Sequence, residues 1–148
     1  MTRARQRARP IVLAAMLVAG VLPAADIASG EVVVVVSAEN PIREIRKSEL
    51  SDLFLGRASR FPDGRSAVPI DLSEGSEARP LFYQNYLGRS LAQMKAHWSK
   101  IIFTGRGSTP REARSSEELR RLVANDPRAI GYLERGMVDA SVRIVPVE

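Results

Sequence analysis

The chain contains one uninterrupted run of β-branched residues, Val32-Val-Val-Val-Val36, with Ser37 directly after it. β-Branched side chains favour extended backbone, because their restricted χ1 angle suits the pleated surface of a sheet. A strand without alternating polar residues is typical of a strand that is buried on both faces. The run therefore predicts an α/β fold in which helices cover both faces of a sheet.

Three further strands are predicted from their apolar character and the turn residues around them, at residues 67–72, 129–133 and 142–147. Pro69 lies inside the first of these, and proline has no N–H group to donate to a neighbouring strand. We therefore expect this strand at the edge of the sheet or at a bulge.

Helices are predicted between the strands from capping residues and apolar spacing. Ser48 is expected to cap the first helix, and Ser90–Gln93 and Ser115–Glu118 fit capping boxes. Another helix is expected to end at Gly88, because four residues before it share helical spacing: Leu81, Phe82, Asn85 and Tyr86. The predicted order of elements is β-α-β-α-α-α-β-β.

The N-terminal residues have the pattern of a secretory signal peptide. A basic head carries four arginines, Arg3, Arg5, Arg7 and Arg9. The mostly apolar residues 11–22 follow, a run too short for a spanning helix, which needs about 20 apolar residues. We expect residues 1–30 to be a signal peptide that is cleaved after Ala25 or Gly30, which leaves one exported domain, residues 31–148. Contact with the membrane is then expected only through the uncleaved signal.

The 148-residue chain has 22 Lys and Arg against 17 Asp and Glu, a formal net charge of +5. Removal of residues 1–30 takes away four arginines and one aspartate, so 18 basic and 16 acidic residues remain. Their interleaving along the domain argues against a nucleic-acid partner, which needs a clustered basic face. The chain has no cysteine and one histidine, so we expect no disulfide, no metal and no other cofactor.

Short motifs in a distinctive order run through the domain. They are Asn40-Pro41, Leu53–Gly56 with Phe61–Gly64, Asp71–Gly88, His97-Trp98 with Phe103–Gly105, and Ala129–Leu133. Together they resemble the periplasmic phosphate-binding (PstS-like) substrate-binding proteins of ABC importers. The resemblance implies a type II periplasmic-binding-protein-like lobe with a mixed sheet, in a short single-lobe form, since the full members are longer and have two lobes.

The loop Ser73-Glu-Gly-Ser76 joins the second strand to the next predicted helix. A helix N-terminus has free backbone N–H groups and a partial positive charge, so it attracts anions. Gly75 lets the backbone approach an oxyanion closely, Ser76 offers a hydroxyl, and Arg79 offers paired guanidinium donors. These residues predict a site for phosphate or a similar oxyanion.

In the resembled family this loop reads roughly Arg-Ser-Asp-Gly-Ser-Gly-Thr, and its Ser-Gly-Thr part binds phosphate. Three positions of that pattern match here: Ser73, Gly75 and Ser76. The family's Arg, second Gly and Thr fall on three different residues: Leu72, Glu77 and Ala78. Arg79 is the candidate replacement for the arginine that the pattern lacks.

The same residues also have a purely structural interpretation. Ser76 then only caps the helix, Glu77 complements the helix dipole, and Arg79 pairs with neighbouring acids. Moreover, Asp71, Glu74 and Glu77 would repel a dianion if their side chains faced the site. Both interpretations remain open at the level of the sequence.

Two more residues are candidate ligands. Ser37 follows the first strand, at a place where ligands of open α/β sheets usually bind. Thr104 begins the flexible polar stretch Thr104–Ser108, which would face the same cleft or form a plain loop between two helices.

We therefore expect an exported, periplasmic module that binds phosphate or a related oxyanion and works with an ABC transporter permease or a sensor domain. One lobe encloses a ligand on one side only, so weak binding by a monomer, or a homodimer that closes the site, is expected. The alternative is a periplasmic protein-interaction or signalling module that keeps the fold and has lost the ligand. No enzyme is expected, because His97 is the single histidine and no Gly-x-Ser-x-Gly motif surrounds Ser76.

Overall fold

The computed structural model describes residues 30–148, so the predicted signal peptide lies outside the described residues apart from Gly30. The elements follow in chain order: β1 Val32–Ser37, α1 Lys47–Phe54, β2 Val68–Leu72, α2 Ala78–Phe82 with a π-helical continuation Tyr83–Leu87, α3 Leu91–Thr104, β3 Arg111–Ala113, α4 Ser116–Asn125, β4 Ala129–Glu134, a 3-10 turn Arg135–Met137 and β5 Val142–Ile144. Within this part of the chain, no helix has the length and apolar character that a membrane span requires.

The five strands form one sheet in the order β3-β2-β4-β1-β5. β1 runs antiparallel to both of its neighbours, β4 and β5, whereas β2 runs parallel to both β3 and β4. The five valines and Ser37 of β1 are all buried, as expected for a strand that is covered on both faces. The predicted mixed sheet is therefore confirmed.

Helices pack on both faces of this sheet, and two neighbouring residues of β4 show it. A Cβ atom built on Gly131 would lie 2.7 Å from Leu119 of α4, so α4 presses directly against the backbone on that face. The next side chain, Tyr132, points to the opposite face, where its ring stacks on Phe82 of α2 with the ring centroids 3.9 Å apart. The predicted α/β lobe with helices on both faces is confirmed.

The first helix begins differently from the prediction. Arg46, not Ser48, occupies the N-cap position, and the Glu49 carboxylate accepts a hydrogen bond from the Arg46 backbone N–H over 3.0 Å. The predicted box at Ser90 forms in full, since Ser90 and Gln93 each bind the other's backbone N–H. Ser115 also caps its helix, but the predicted box does not close, because the Glu118 carboxylate accepts from the Arg114 backbone N–H rather than from that of Ser115.

The buried face of α2 does not coincide with the four residues that share helical spacing. Phe82 is buried, but Leu81 and Asn85 are exposed, and Tyr83 lies in the core. The helix changes from α to π winding at Tyr83, and the wider turn moves the buried face along the chain. A strict helical spacing therefore does not identify the buried neighbours of Phe82.

The sequence analysis did not predict strand β3, and for that reason it also placed β2 wrongly at the edge of the sheet. β3 has only three residues and two of them are charged, so no apolar pattern announces it. Because β3 covers its outer side, β2 is an interior strand and the edge position expected from Pro69 is wrong. The pairing with β3 begins only at Ile70, so Pro69 faces no partner on that side.

We predict that Gly131→Ala destabilises the protein. The new methyl group would lie 2.7 Å from Leu119 Cδ2 and 3.3 Å from Val123 Cγ2, and both of these side chains are fully buried. Such overpacking costs about 1–3 kcal/mol, more than the roughly 0.5–1 kcal/mol that alanine gains over glycine in a strand. Urea unfolding measures the difference, and Gly136→Ala, which places its methyl in open space, is the control and should not lower the midpoint.

Candidate functional site

An open cavity of about 700 Å³ lies beside the carboxyl ends of β2 and β3. One wall is the loop before α2 together with α2 itself, and the other wall is one face of α3. Asp71 of β2 and Glu112 of β3, which are register partners in the sheet, lie between the walls. Open α/β sheets usually bind ligands at the carboxyl ends of their strands, so the cavity is the candidate site.

Asp71 organises the inner end of this cavity. It is only 4% exposed, although it carries a carboxylate. The hydroxyls of Tyr83 and Tyr132 each donate a short hydrogen bond to it, one to each carboxylate oxygen. The backbone N–H of Leu72 donates to Oδ1 over 2.9 Å. A buried carboxylate is tolerated when its oxygens are satisfied in this way, so the network ties β2, β4 and α2 together.

Arg79 extends the network towards the cavity. Its Nε donates to the Tyr83 hydroxyl over 2.8 Å, and its Nη2 lies 3.7 Å from Asp71 Oδ2. On its other side, Nη1 lies 3.6 Å from Glu112 Oε2. The guanidinium, whose side chain is 15% exposed, is thus held in one orientation between two carboxylates.

The ionisation of these groups follows from their burial and from Asp71. Burial by itself lowers the pKa of the Arg79 guanidinium, but the Asp71 carboxylate and the Tyr83 hydroxyl outweigh it and raise that pKa. Burial raises the pKa of Tyr132 far above its usual value, and the negative charge of Asp71 raises it further. The same two causes, in the same order, raise the pKa of Tyr83. Both tyrosines therefore remain neutral donors.

The guanidinium retains unused hydrogen-bonding capacity. Within residues 30–148, Nη1 of Arg79 is covered from solvent but has no hydrogen-bond partner, because Glu112 is slightly too distant. A buried donor without a partner is costly, and a ligand oxygen that reached it would remove that cost.

The loop before α2 lines the same cavity. Gly75 has a φ of +92°, a conformation that favours glycine, and the Ser76 N–H bonds back to the Ser73 carbonyl over 3.3 Å. No side chain caps α2, whose N-cap position is Glu77. Among the described residues no hydrogen bond involves the Ser76 hydroxyl, so the interpretation of Ser76 as a mere helix cap is wrong. α2 itself is short, with five α-helical residues.

The structure brings three of the six predicted ligand residues to the cavity wall: Gly75, Ser76 and Arg79. Ser73 lies just outside, where its hydroxyl donates to the Arg114 carbonyl over 3.3 Å. Thr104 is the last residue of α3, and its hydroxyl bonds back to carbonyls of its own helix. Neither Ser73 nor Thr104 lines the cavity.

Ser37 lies far from the other candidates along the sheet. β1 is antiparallel to β4 while β2 is parallel to β4, so the end of β1 adjoins the beginning of β2 rather than its end. The buried Ser37 hydroxyl donates to the Ala124 carbonyl of α4 over 3.3 Å. Ser37 therefore lies at the end of the sheet opposite to the carboxyl ends of β2 and β3.

The sequence analysis missed the second wall of the cavity. Leu91, Met94, Lys95, Trp98 and Ile102 of α3 all line it. Helical spacing of apolar residues predicts a buried face but not what that face meets. His97 lies in the middle of α3, and its Nε2 donates to the Leu55 carbonyl over 2.9 Å. No group of three or more His, Asp or Glu side chains in residues 30–148 is placed to hold a metal ion.

Comparison with solved structures shows which known proteins share this fold. The chain matches a Clostridium perfringens protein, described as a phosphate ABC transporter substrate-binding protein with bound phosphate, with a TM-score of 0.62 and 19% identity over 78% of this chain and 44% of that one. The chain has the fold of phosphate ABC transporter substrate-binding proteins. An ABC-type phosphate transport receptor from Vibrio cholerae matches with a TM-score of 0.56 and 16% identity, over 78% of this chain and 45% of that one.

PstS from Borrelia burgdorferi matches in the same way, with a TM-score of 0.58 and 14% identity over 79% of this chain and 47% of that one. The chain thus spans less than half the length of these solved relatives, which are binding proteins by their descriptions. Neither the protein-family models nor the curated proteins include a match. At these identities the similarity establishes the fold alone.

We predict that the network of Asp71 makes stability depend on pH in the alkaline range. The raised pKa values of Tyr83 and Tyr132 mean that the unfolded chain releases their protons near pH 10, while the folded protein keeps them. The free energy of unfolding should therefore fall as the pH rises above about 10, by up to about 1.4 kcal/mol per pH unit for each tyrosine.

The matched variant is Tyr132→Phe. At neutral pH it should be less stable by about 1–3 kcal/mol, since Asp71 loses a donor. Above about pH 10 its stability should fall less steeply than that of the wild type. Urea unfolding at several pH values measures both quantities, and parallel profiles of the two proteins would contradict the assignment.

Proposed function

We propose that this protein is a solute-binding module that takes phosphate or a similar oxyanion at one corner of the cavity, formed by Gly75, Ser76 and Arg79. The observation that carries the proposal is that the Arg79 guanidinium and the start of α2, which no side chain caps, line the same open cavity. The guanidinium N–H groups of Arg79, the Ser76 hydroxyl and a fixed positive charge are the kinds of group that bind an oxyanion. The fold shared with proteins that are described as phosphate-binding supports the same class of ligand.

The orientation of Arg79 supports the proposal further. Tyr83 and Asp71 hold the guanidinium before any ligand arrives, so binding need not restrict a freely rotating side chain. Preorganisation of this kind lowers the entropic cost of binding. Nη1, which is within ion-pair distance of Glu112 but has no hydrogen-bond partner among residues 30–148, would bind a ligand oxygen if the exposed Glu112 side chain moved aside.

The acidic residues of the cavity set the strength of this site. Asp71 is already bound by two tyrosine hydroxyls and lies beside Arg79, so Glu74 and Glu112 are the acids that a ligand would meet. Repulsion grows with the charge of the ligand, so these two residues disfavour a dianion more than a monoanion. Weak binding by a single lobe is the expected result.

The remaining parts of the proposal concern the setting of the protein. Residues 1–30 would direct export to the periplasm and then be removed. The bound oxyanion would be passed to an ABC transporter permease or reported to a sensor domain, and a homodimer would enclose the ligand more fully. No catalytic step and no cofactor are part of this function.

A second candidate function, a periplasmic protein-interaction or signalling module, is favoured by the end of α3. Phe103 is 93% exposed and the adjacent Ile102 is 60% exposed. Large apolar side chains so exposed are typical of surfaces that meet a partner.

Calorimetric titration of the purified protein with phosphate, sulfate and arsenate tests the first candidate. We predict measurable binding that Glu112→Gln strengthens about twofold to fivefold, because it removes a half-exposed negative charge beside Arg79. Glu117→Gln, which removes an exposed acid of α4 outside the cavity, is the matched control and should leave the affinity unchanged. No heat from any of the three anions at millimolar concentration, with folded protein, would refute the proposal.

Capture of partners from the cell envelope tests the second candidate. If the protein is an interaction module, Phe103→Ser should abolish capture of a specific partner, since it removes the most exposed apolar side chain without disturbing the core. Ser76→Ala should leave the same capture unchanged. Loss of capture in Ser76→Ala with retention in Phe103→Ser would contradict this candidate.

A further inference from the structure

The cavity is much larger than a single tetrahedral oxyanion. Its volume of about 700 Å³ lies in the range of about 300–1,000 Å³ that is usual for sites of drug-sized ligands. The corner with Gly75, Ser76 and Arg79 occupies one side only. An inorganic ion bound there would leave the greater part of the cavity to water.

The unused part of the cavity has an apolar wall. Leu91, Trp98 and Ile102 lie at helical spacing along one face of α3, and Met94 packs beside them. Leu91 and Ile102 remain exposed there, although they are large and apolar. Covering such side chains with an apolar group is favourable, because it removes their surface from water.

Charges at the two walls favour a single negative charge on the ligand. Lys95 lies on the α3 wall between Leu91 and Trp98, and among residues 30–148 it forms no ion pair. Arg79 lies on the facing wall, so two cations line the space. Three acids line the same cavity, Asp71, Glu74 and Glu112. Asp71 is already bonded by two tyrosine hydroxyls, while the other two penalise a second negative charge on the ligand.

From these observations we infer that the ligand is an organic monoanion, with an acidic head at Arg79 and an apolar body against Leu91, Trp98 and Ile102. The inference rests on the proposed oxyanion site and narrows its ligand class. Inorganic phosphate is then a partial ligand that fills only the corner. An alkyl carboxylate is the simplest molecule with both required features.

The test is a calorimetric titration of the purified protein with butanoate, hexanoate and octanoate, beside inorganic phosphate and octan-1-ol. Each added methylene should tighten binding about twofold to fourfold while the wall is being covered, so octanoate should bind at least about tenfold more tightly than butanoate. Octanol, which lacks the charge, should bind more weakly than octanoate.

Two variants connect these affinities to the walls. Ile102→Ser should flatten the dependence on chain length and leave phosphate binding unchanged, whereas Phe103→Ser, one position further along α3 and outside the cavity, should change neither. Lys95→Gln should weaken octanoate about twofold to fivefold without affecting octanol, as expected for a partly exposed charge pair.

The outcomes separate this inference from the function on which it rests. If phosphate and all three carboxylates bound with equal affinity, the inference of an organic ligand would be overturned, but the proposed oxyanion site would still be supported. If octanol and octanoate bound with equal affinity, and phosphate and butanoate gave no heat, both the inference and the oxyanion site would be overturned. Retention of the full chain-length dependence in Ile102→Ser would overturn the assignment of the apolar body to the α3 wall.

Discussion

The buried carboxylate of Asp71 is the constraint on which the lobe and its cavity both depend. It lies on β2, and it is satisfied by a hydroxyl from β4, a hydroxyl from the helix that follows the loop, and a backbone N–H of its own strand. Removing a carboxylate from water is expensive unless its oxygens are bound, so each of these donors must remain in place. The path of the chain from β2 into α2 is restricted by that requirement.

The same carboxylate sets the charge of the cavity. Asp71 and Tyr83 orient Arg79, and Arg79 in turn lies within ion-pair distance of Glu112, the register partner of Asp71 on β3. A guanidinium between two acids attracts an anion less strongly than an isolated guanidinium, because the acids partly cancel its positive charge. The cavity therefore combines a preorganised cation with a lining in which acids slightly outnumber cations, which suits a ligand that carries at most one negative charge and gains further affinity from apolar contact.

Much of the fold could be predicted from local patterns. The valine run of β1, the capping box at Ser90 and the end of α2 at Gly88 each follow from physics that acts within a few residues. The failures share a different cause. The buried face of α2 depends on a change to π winding, and β3 exists because its backbone pairs with β2, which three mostly polar residues do not reveal.

By itself the sequence determined an α/β lobe with a mixed sheet and a polar loop, Ser73–Ser76, that enters a helix next to an arginine. Only the tertiary structure decided which candidates share a site: Gly75, Ser76 and Arg79 meet the face of α3, while Ser37 lies at the other edge of the sheet. The direction of each strand decides this. A residue that follows a strand lies at the end of the sheet where the cavity opens only if its strand runs parallel to β2 and β3. The burial of Asp71 was likewise settled only by the distant Tyr132, because a carboxylate in a strand is buried or exposed according to the partners that the fold brings to it.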